Sequence, residues 1–125
     1  MALGISTACL YPMAMEDSLQ TLIDSGFREF EIFINTYSEM EPEFLTMLEE
    51  KLKPQGCRVK SLHPFTSGFE SYLLFSNYER RFQDGASFYR RYFEMARRLG
   101  AEILVIHGDR SFEKSGLNDR EYYDR

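Results

Sequence analysis

The segment EILVIHGD runs from Glu102 to Asp109 and is the main determinant of the predicted fold. It is a short apolar run, rich in β-branched residues, that lies between two glycines, Gly100 and Gly108. This length and composition predict a strand buried on both faces, as in parallel sheets. His107 then lies at the carboxyl end of the strand, the edge at which parallel sheets hold ligands and catalytic groups.

The second histidine of the chain follows the same pattern. His63 ends the strand-like run CRVKSLH, which begins at Cys57. A single histidine of this kind is well explained as a hydrogen-bonded structural residue. Two histidines at equivalent strand ends favour a shared site, because the carboxyl ends of neighbouring parallel strands meet at one edge.

Patterns elsewhere predict helices that alternate with strands. Gly26 follows a helical apolar stripe and indicates a helix end, and Pro42 beside two glutamates indicates a helix start. Ser76 and Glu79 form a capping box, which predicts a short helix that bends at Gly85 before the main helix. The predicted strands cover residues 3–10, 29–35, 57–63 and 102–107. The predicted helices run from Met15 to Ser25, from Pro42 to Leu52 and from Ser76 to Leu99, and residues 118–125 begin another.

Alternation along a strand assigns side chains to the two faces of the sheet. In the second predicted strand the apolar face comprises Phe30, Ile32 and Ile34, and the opposite face comprises Glu29, Glu31, Phe33 and Asn35. In the third predicted strand, one face comprises Val59, Ser61 and His63. The buried stripe of the main helix comprises Phe88, Tyr92, Ala96 and Leu99.

Strands and helices in strict alternation predict right-handed βαβ units that build a parallel sheet, and hence an α/β fold. About four βα units fit into 125 residues. A (β/α)8 TIM barrel has eight such units and about 250 residues. Residues 1–125 are therefore expected to be the amino-terminal half of a TIM barrel, a partial domain truncated at the carboxyl end.

Composition limits the classes of partner. The net charge is −5 and no block of basic residues occurs, which makes a nucleic-acid partner unlikely. No stretch approaches the ~20 apolar residues of a membrane span, so no membrane partner is expected. Cys9 and Cys57 match no metal-binding spacing and are expected to lie too far apart to bridge. This cysteine usage favours a reduced, cytoplasmic location.

The sequence resembles the amino-terminal half of the xylose-isomerase-like barrels. This superfamily contains sugar phosphate isomerases and epimerases together with endonuclease IV-like apurinic endonucleases. The resemblance covers nearly the whole chain and rests on the order of elements and on three segments: GFREFEIF (26–33), SLHPF (61–65) and ARRLGAEILVIHGD (96–109).

The resemblance implies a divalent metal ion (Mn, Mg, Co or Zn). His63 and His107 match the positions at which the endonuclease-type members ligate zinc. In the isomerases the metal is held mainly by side chains from later strands, so most ligands would be absent from this chain. Near such an ion, Glu31 and Asp109 are candidate substrate-binding residues. Glu31 is equally well explained as an interior carboxylate, and Asp109 is better explained as a turn residue.

Three functions are compatible with these patterns. The first is a fragment of a metal-dependent sugar (phosphate) isomerase or epimerase, which moves a proton next to a sugar carbonyl and is inactive as this polypeptide alone. The second is an endonuclease IV-like phosphodiesterase. The third is a non-catalytic, doubly wound binding domain. A half-barrel has open strand edges, so self-association, for example as a homodimer, is also expected.

Overall fold

Three α-helices connect four parallel strands in residues 3–109, the part of the chain that the computed structural model describes. The strands are β1 (Gly4–Ser6), β2 (Glu29–Phe33), β3 (Arg58–His63) and β4 (Ile103–Leu104). The helices are α1 (Met15–Asp24), α2 (Pro42–Leu52) and α3 (Glu79–Leu99). Short 3-10 helices cover Thr7–Leu10, Tyr37–Met40, Lys53–Gln55 and Phe65–Tyr72. The predicted α/β class with a parallel sheet is confirmed.

The strands follow one another across the sheet in the order β1-β2-β3-β4. Each neighbouring pair is parallel. Since this order never reverses, crossovers of the usual right hand place all three helices on the same face of the sheet. This differs from a doubly wound sheet, in which the order reverses and helices cover both faces.

Burial separates the two faces of the sheet. In β2, Phe30 and Ile32 are fully buried, whereas Glu31 and Phe33 are half-buried, as alternation predicts. The core lies between the buried strand residues and the apolar faces of the helices. It comprises Leu19, Leu22, Ile23, Phe30, Ile32, Ile34, Leu45, Leu48, Leu52, Val59, Leu62, Tyr89, Tyr92 and Met95, together with Met15 and Met40. The opposite face of the sheet is only partly covered within residues 3–109.

The first strand is shorter than predicted, because its polar residues end it. β1 stops at Ser6, whose hydroxyl accepts a hydrogen bond from the backbone N–H of Ala8 and so begins a 3-10 helix. The hydroxyl of Thr7 accepts a hydrogen bond from the backbone N–H of Phe33 at 2.9 Å. Side chains that bond to the backbone compete with the strand ladder, and here they replace it.

The predicted face of Val59 is wrong. The pairing of β2 with β3 matches Phe30 to Val59 but Glu31 to Ser61, so Lys60 is an extra residue in a bulge. A bulge restarts the alternation of side chains. Val59 is therefore buried in the helix-facing core, whereas Ser61 and His63 lie on the half-exposed face.

The prediction that residues 102–107 form a strand buried on both faces is also wrong. The strand covers only Ile103 and Leu104, and Ile103 and Ile106 are 57% and 46% exposed. Hydrogen bonds from Glu102 N–H to Lys60 and from Val105 N–H to Leu62 extend the pairing with β3 slightly. Within the described residues this strand lies at the edge of the sheet, where its outer flank has no neighbour.

The helices agree with the sequence except at the start of α3. Helix α1 ends one residue before the predicted Ser25, and α2 has the predicted limits. Helix α3 runs unbroken through Gly85, and Ser76 accepts a hydrogen bond from Tyr78 N–H outside the helix instead of capping it. Its buried residues are Gly85, Tyr89, Tyr92 and Met95. The other residues of the predicted stripe, Phe88, Ala96 and Leu99, are partly buried against the core. Both cysteines are free, and the helix predicted over 118–125 lies outside the described residues.

Candidate functional site

The structure brings His63 and His107 together. Their Nε2 atoms are 3.0 Å apart, and the ring centroids are 4.8 Å apart with the planes nearly perpendicular. His63 is the last residue of β3, and His107 follows β4, the next strand of the sheet. The two imidazoles therefore converge at the carboxyl edge of adjacent parallel strands, as the sequence pattern predicts.

The ring of His63 is fixed by two neighbours. Phe33 is its register partner in β2 and stacks on it, with ring centroids 4.6 Å apart. Its Nδ1 lies 3.3 Å from the carbonyl oxygen of Pro64. Because a carbonyl oxygen can only accept, this contact assigns the proton of the neutral ring to Nδ1. Nε2 is then left with a lone pair directed at His107.

Glu31 lies on the neighbouring strand β2, and Asp109 follows His107 along the chain. Glu31 lies on the same face of the sheet as His63. Its register partner is Ser61, two residues before His63 in β3, and its carboxylate accepts a hydrogen bond from the Ser61 hydroxyl at 3.2 Å. Asp109 is half-buried, two residues beyond His107. Within residues 3–109, no group of three or more His, Cys, Asp or Glu side chains is arranged to hold a metal ion.

A buried glutamate, Glu70, which the sequence analysis did not identify, binds the backbone of the segment that carries His107. Glu70 has no exposed surface. One carboxylate oxygen, Oε2, accepts hydrogen bonds from the backbone N–H groups of both His107 and Gly108, each at 2.7 Å. These are short, charge-assisted bonds of the strong kind. The other oxygen accepts from the hydroxyl of Tyr89 at 3.1 Å.

This carboxylate belongs to a buried hydrogen-bond network between the loop and helix α3. The hydroxyl of Thr66 lies 3.2 Å from that of Tyr89 and 3.0 Å from that of Tyr92. Burial raises the pKa of Tyr89 strongly, and burial also raises the pKa of Tyr92. Both phenols therefore stay protonated at neutral pH, so the hydroxyl of Tyr89 can donate to Glu70 while that of Tyr92 bonds to Thr66.

One sequence signal could have identified Glu70. It is the only charged residue of the segment PFTSGFESYLLF (64–75), which is otherwise apolar or neutral. Where such an apolar segment packs into the core, a lone acid within it must be satisfied by backbone N–H groups or hydroxyls. The length and position of the segment, by contrast, predict only a long loop suited to carry function.

Acidic and aromatic side chains also lie on the loops that follow β1, β2 and β3 at the carboxyl edge of the sheet. Glu39 is buried and accepts a hydrogen bond from the backbone N–H of Asn35 at 2.6 Å. Exposed aromatic residues on these loops are Tyr11, Tyr37, Phe69, Tyr72 and Tyr78. Two arginines of α3 have acidic partners: Arg91 bonds to Glu41 and lies over the ring of Tyr37, and Arg98 bonds to Glu49 and thereby lowers the pKa of that carboxyl.

A scan against protein-family models finds no match for this chain, and a search of curated proteins finds none either. None of the helices within residues 3–109 has the length and apolar composition needed to cross a membrane.

Proposed function

We propose that the four βα units are part of a (β/α)8 barrel of the xylose-isomerase-like group. We further propose that His63 and His107 are two ligands of a divalent metal ion in a sugar or sugar phosphate isomerase or epimerase. The observation that carries the proposal is the convergence of the two Nε2 atoms, 3.0 Å apart, at the carboxyl edge of β3 and β4.

The sheet supports a barrel over a doubly wound domain. Its strand order is sequential, all described helices pack on one face, and the other face is only half-buried. In a barrel that second face points inward and packs against strands from the opposite side. Glu31, Phe33, Ser61 and His63 would all be interior residues of such a barrel.

The histidine pair fits a tetrahedral ion. Two imidazoles that bind one Zn²⁺ at about 2.05 Å with a tetrahedral angle have their nitrogens about 3.3 Å apart, close to the observed separation. The contact between Nδ1 of His63 and the carbonyl of Pro64 is the kind of second interaction that metal-binding histidines usually make. In the metal-free chain Nε2 of His107 donates to Nε2 of His63, and metal binding would require the proton of His107 to be on Nδ1 instead.

Two ligands are too few for a tight site, because a catalytic metal usually has three protein ligands. The remaining ligands would come from outside residues 3–109. A bound divalent ion would polarise a substrate carbonyl oxygen. The chain itself would contribute Glu31, whose carboxylate can hold sugar hydroxyls, and Phe33, whose ring keeps His63 aligned.

The chemical character of the rim favours a sugar over DNA. The loops at this edge carry the half-buried Asp109 and several exposed aromatic rings, whereas Glu39 and Glu70 are buried beneath them. Acids repel a phosphodiester backbone, whereas acids and aromatic faces suit sugar hydroxyls and sugar C–H surfaces. The histidine pair itself favours a second candidate, an endonuclease IV-like phosphodiesterase, because that group binds zinc through histidines at these strand ends.

Metal titration tests the proposed ligands. We expect Zn²⁺ and Co²⁺ to bind the 125-residue chain weakly and exchangeably, and binding to fall at least tenfold in His63→Gln and in His107→Gln. Glu29→Gln is a matched control, because Glu29 lies at the amino end of β2 and pairs with Arg58. Calorimetry in which the histidine variants bind as well as the original chain would rule out this pair as ligands. Tight one-to-one binding would instead indicate a complete small metalloprotein.

Ligand-observed NMR separates the two candidate functions. In the presence of Mg²⁺, we expect aldoses and ketoses to show saturation transfer from the chain, and we expect a short duplex with an abasic site to show none. Glu31→Gln should weaken the sugar signal, since it exchanges a carboxylate for an amide where hydroxyls are held. Salt-dependent binding of the duplex without sugar binding would favour the phosphodiesterase.

A further inference from the structure

Glu70 makes contacts that go beyond a loop-stabilising role. Its two oxygens face different parts of the molecule: Oε1 faces Tyr89 of α3, and Oε2 faces the backbone of His107 and Gly108. The residue is fully buried and lies in the Phe65–Tyr72 3-10 helix that follows β3. A single carboxylate thus joins a loop, a helix and the segment that carries one histidine.

The segment that carries His107 needs such support. The strand β4 ends at Leu104, and the last hydrogen bond of Val105 N–H to β3 is made two residues before His107. Beyond that point, regular pairing does not define the backbone. Gly108 has a φ of 79°, a left-handed conformation that turns the chain away. The two N–H groups bonded to Glu70 fix the chain between the end of the pairing and this turn.

We infer that Glu70 is the positioning residue of the histidine pair, because it holds the His107 backbone where its imidazole meets His63. It acts through two backbone N–H groups and touches neither ring. The inference rests on the proposed function only for the identity of what the pair binds. Whether the two rings are held together is a property of the chain without metal.

Three variants isolate this role. Glu70→Ala removes both acceptors. Glu70→Gln is the conservative variant: its amide oxygen can accept from His107 and Gly108 while its NH₂ group donates to the Tyr89 hydroxyl. Tyr89→Phe is the matched control, because it removes a hydrogen bond from the same carboxylate but leaves the bonds to the His107 segment intact.

The primary measurement is the nuclear Overhauser effect between the His63 and His107 rings in the metal-free, full-length chain. We expect it to persist in Tyr89→Phe and Glu70→Gln and to disappear in Glu70→Ala. Zn²⁺ affinity should follow the same order, with a loss of about 10- to 100-fold in Glu70→Ala. Loss of the ring contact together with unchanged metal affinity would support the positioning role and overturn the proposed metal ligands.

A ring contact that survives in folded Glu70→Ala, or that is lost equally in Tyr89→Phe, would overturn the inference. If Glu70→Ala does not fold, amide exchange in the unmodified chain decides. The N–H groups of His107 and Gly108 should then exchange as slowly as those of β3, although they lie beyond the last strand residue. Exchange at the rate of an open loop would show that Glu70 does not hold them.

Discussion

At the scale of single residues, the buried phenols of Tyr89 and Tyr92 should make stability depend on alkaline pH. Burial raises both pKa values above the ordinary value of 10.0. Below pH 10 both phenols are neutral in the folded and unfolded chain, so the stability they contribute is fully present. Above pH 10 the unfolded chain loses these protons more readily than the folded chain, and stability is lost.

We therefore expect the free energy of unfolding in urea to fall as pH rises above 10, with a limiting slope of about 1.4 kcal/mol per pH unit for each buried tyrosine. The double variant Tyr89→Phe, Tyr92→Phe should have a flatter profile. Tyr78→Phe is the control, because Tyr78 is 56% exposed. Absorbance at 295 nm that shows all eight tyrosines ionising while the circular dichroism stays native would contradict this prediction.

Site residues could be predicted from the sequence where their position depends only on the strand that carries them. His63 and His107 were identified because each follows a run with strand character, and the carboxyl ends of parallel strands meet. Glu70 was missed because its position depends on contacts with residues 19 and 37 positions later in the chain. No local periodicity carries that information.

At the scale of elements, Gly85 is required by a close approach between α3 and the preceding loop. A Cβ at this position would lie 2.9 Å from Cβ of Leu73 and 3.2 Å from its backbone carbonyl carbon. The glycine therefore allows the loop to contact the helix and does not bend it. This explains why α3 remains continuous although a glycine occupies its interior.

The variant Gly85→Ala should lower the free energy of unfolding by about 1–2 kcal/mol. The 2.9 Å approach to Leu73 puts the overpacking cost at about 2–3 kcal/mol, and the gain in helix propensity offsets about 1 kcal/mol of it. Gly68→Ala is the matched control, because a methyl group at that position would meet no atom within 4 Å and the change should stay within about 0.5 kcal/mol. Urea denaturation measures both. Equal or increased stability of Gly85→Ala would mean that the loop is not packed against the helix as described.

Element limits were predictable where a residue forces them. Pro42 fixes the start of α2, and Gly26, with a φ of 98°, follows the end of α1. The limits of β1 and α3 were not predictable from local signals, because tertiary contacts decide them. Thr7 follows the end of β1 and accepts a hydrogen bond from the backbone N–H of Phe33 in the next strand. Leu73 lies so close to position 85 that only glycine fits there without a clash.

At the scale of the whole molecule, the edge at β4 exposes apolar surface. Ile103 and Ile106 are 57% and 46% exposed, and the outer flank of β4 has no strand beside it within residues 3–109. Open apolar edges of this kind pair with other chains. We expect the 125-residue chain to self-associate as its concentration rises.

Charge on this edge should prevent that association. The double variant Ile103→Lys, Ile106→Lys should remain monomeric at concentrations at which the original chain forms dimers or larger species, as measured by sedimentation velocity. Phe93→Lys serves as the control, because Phe93 is 55% exposed on α3, away from the edge. A chain that stays monomeric without any substitution would contradict the expectation of an open edge.

The bulge in β3 also affects how this chain should be compared with related sequences. Deleting Lys60 would leave Val59, Ser61, Leu62 and His63 in regular alternation, so each side chain would keep its present face. Relatives could therefore differ in length at this point and still direct the same histidine to the site. A sequence without the bulge residue would match His63 only in an alignment that allows a gap between Val59 and Ser61.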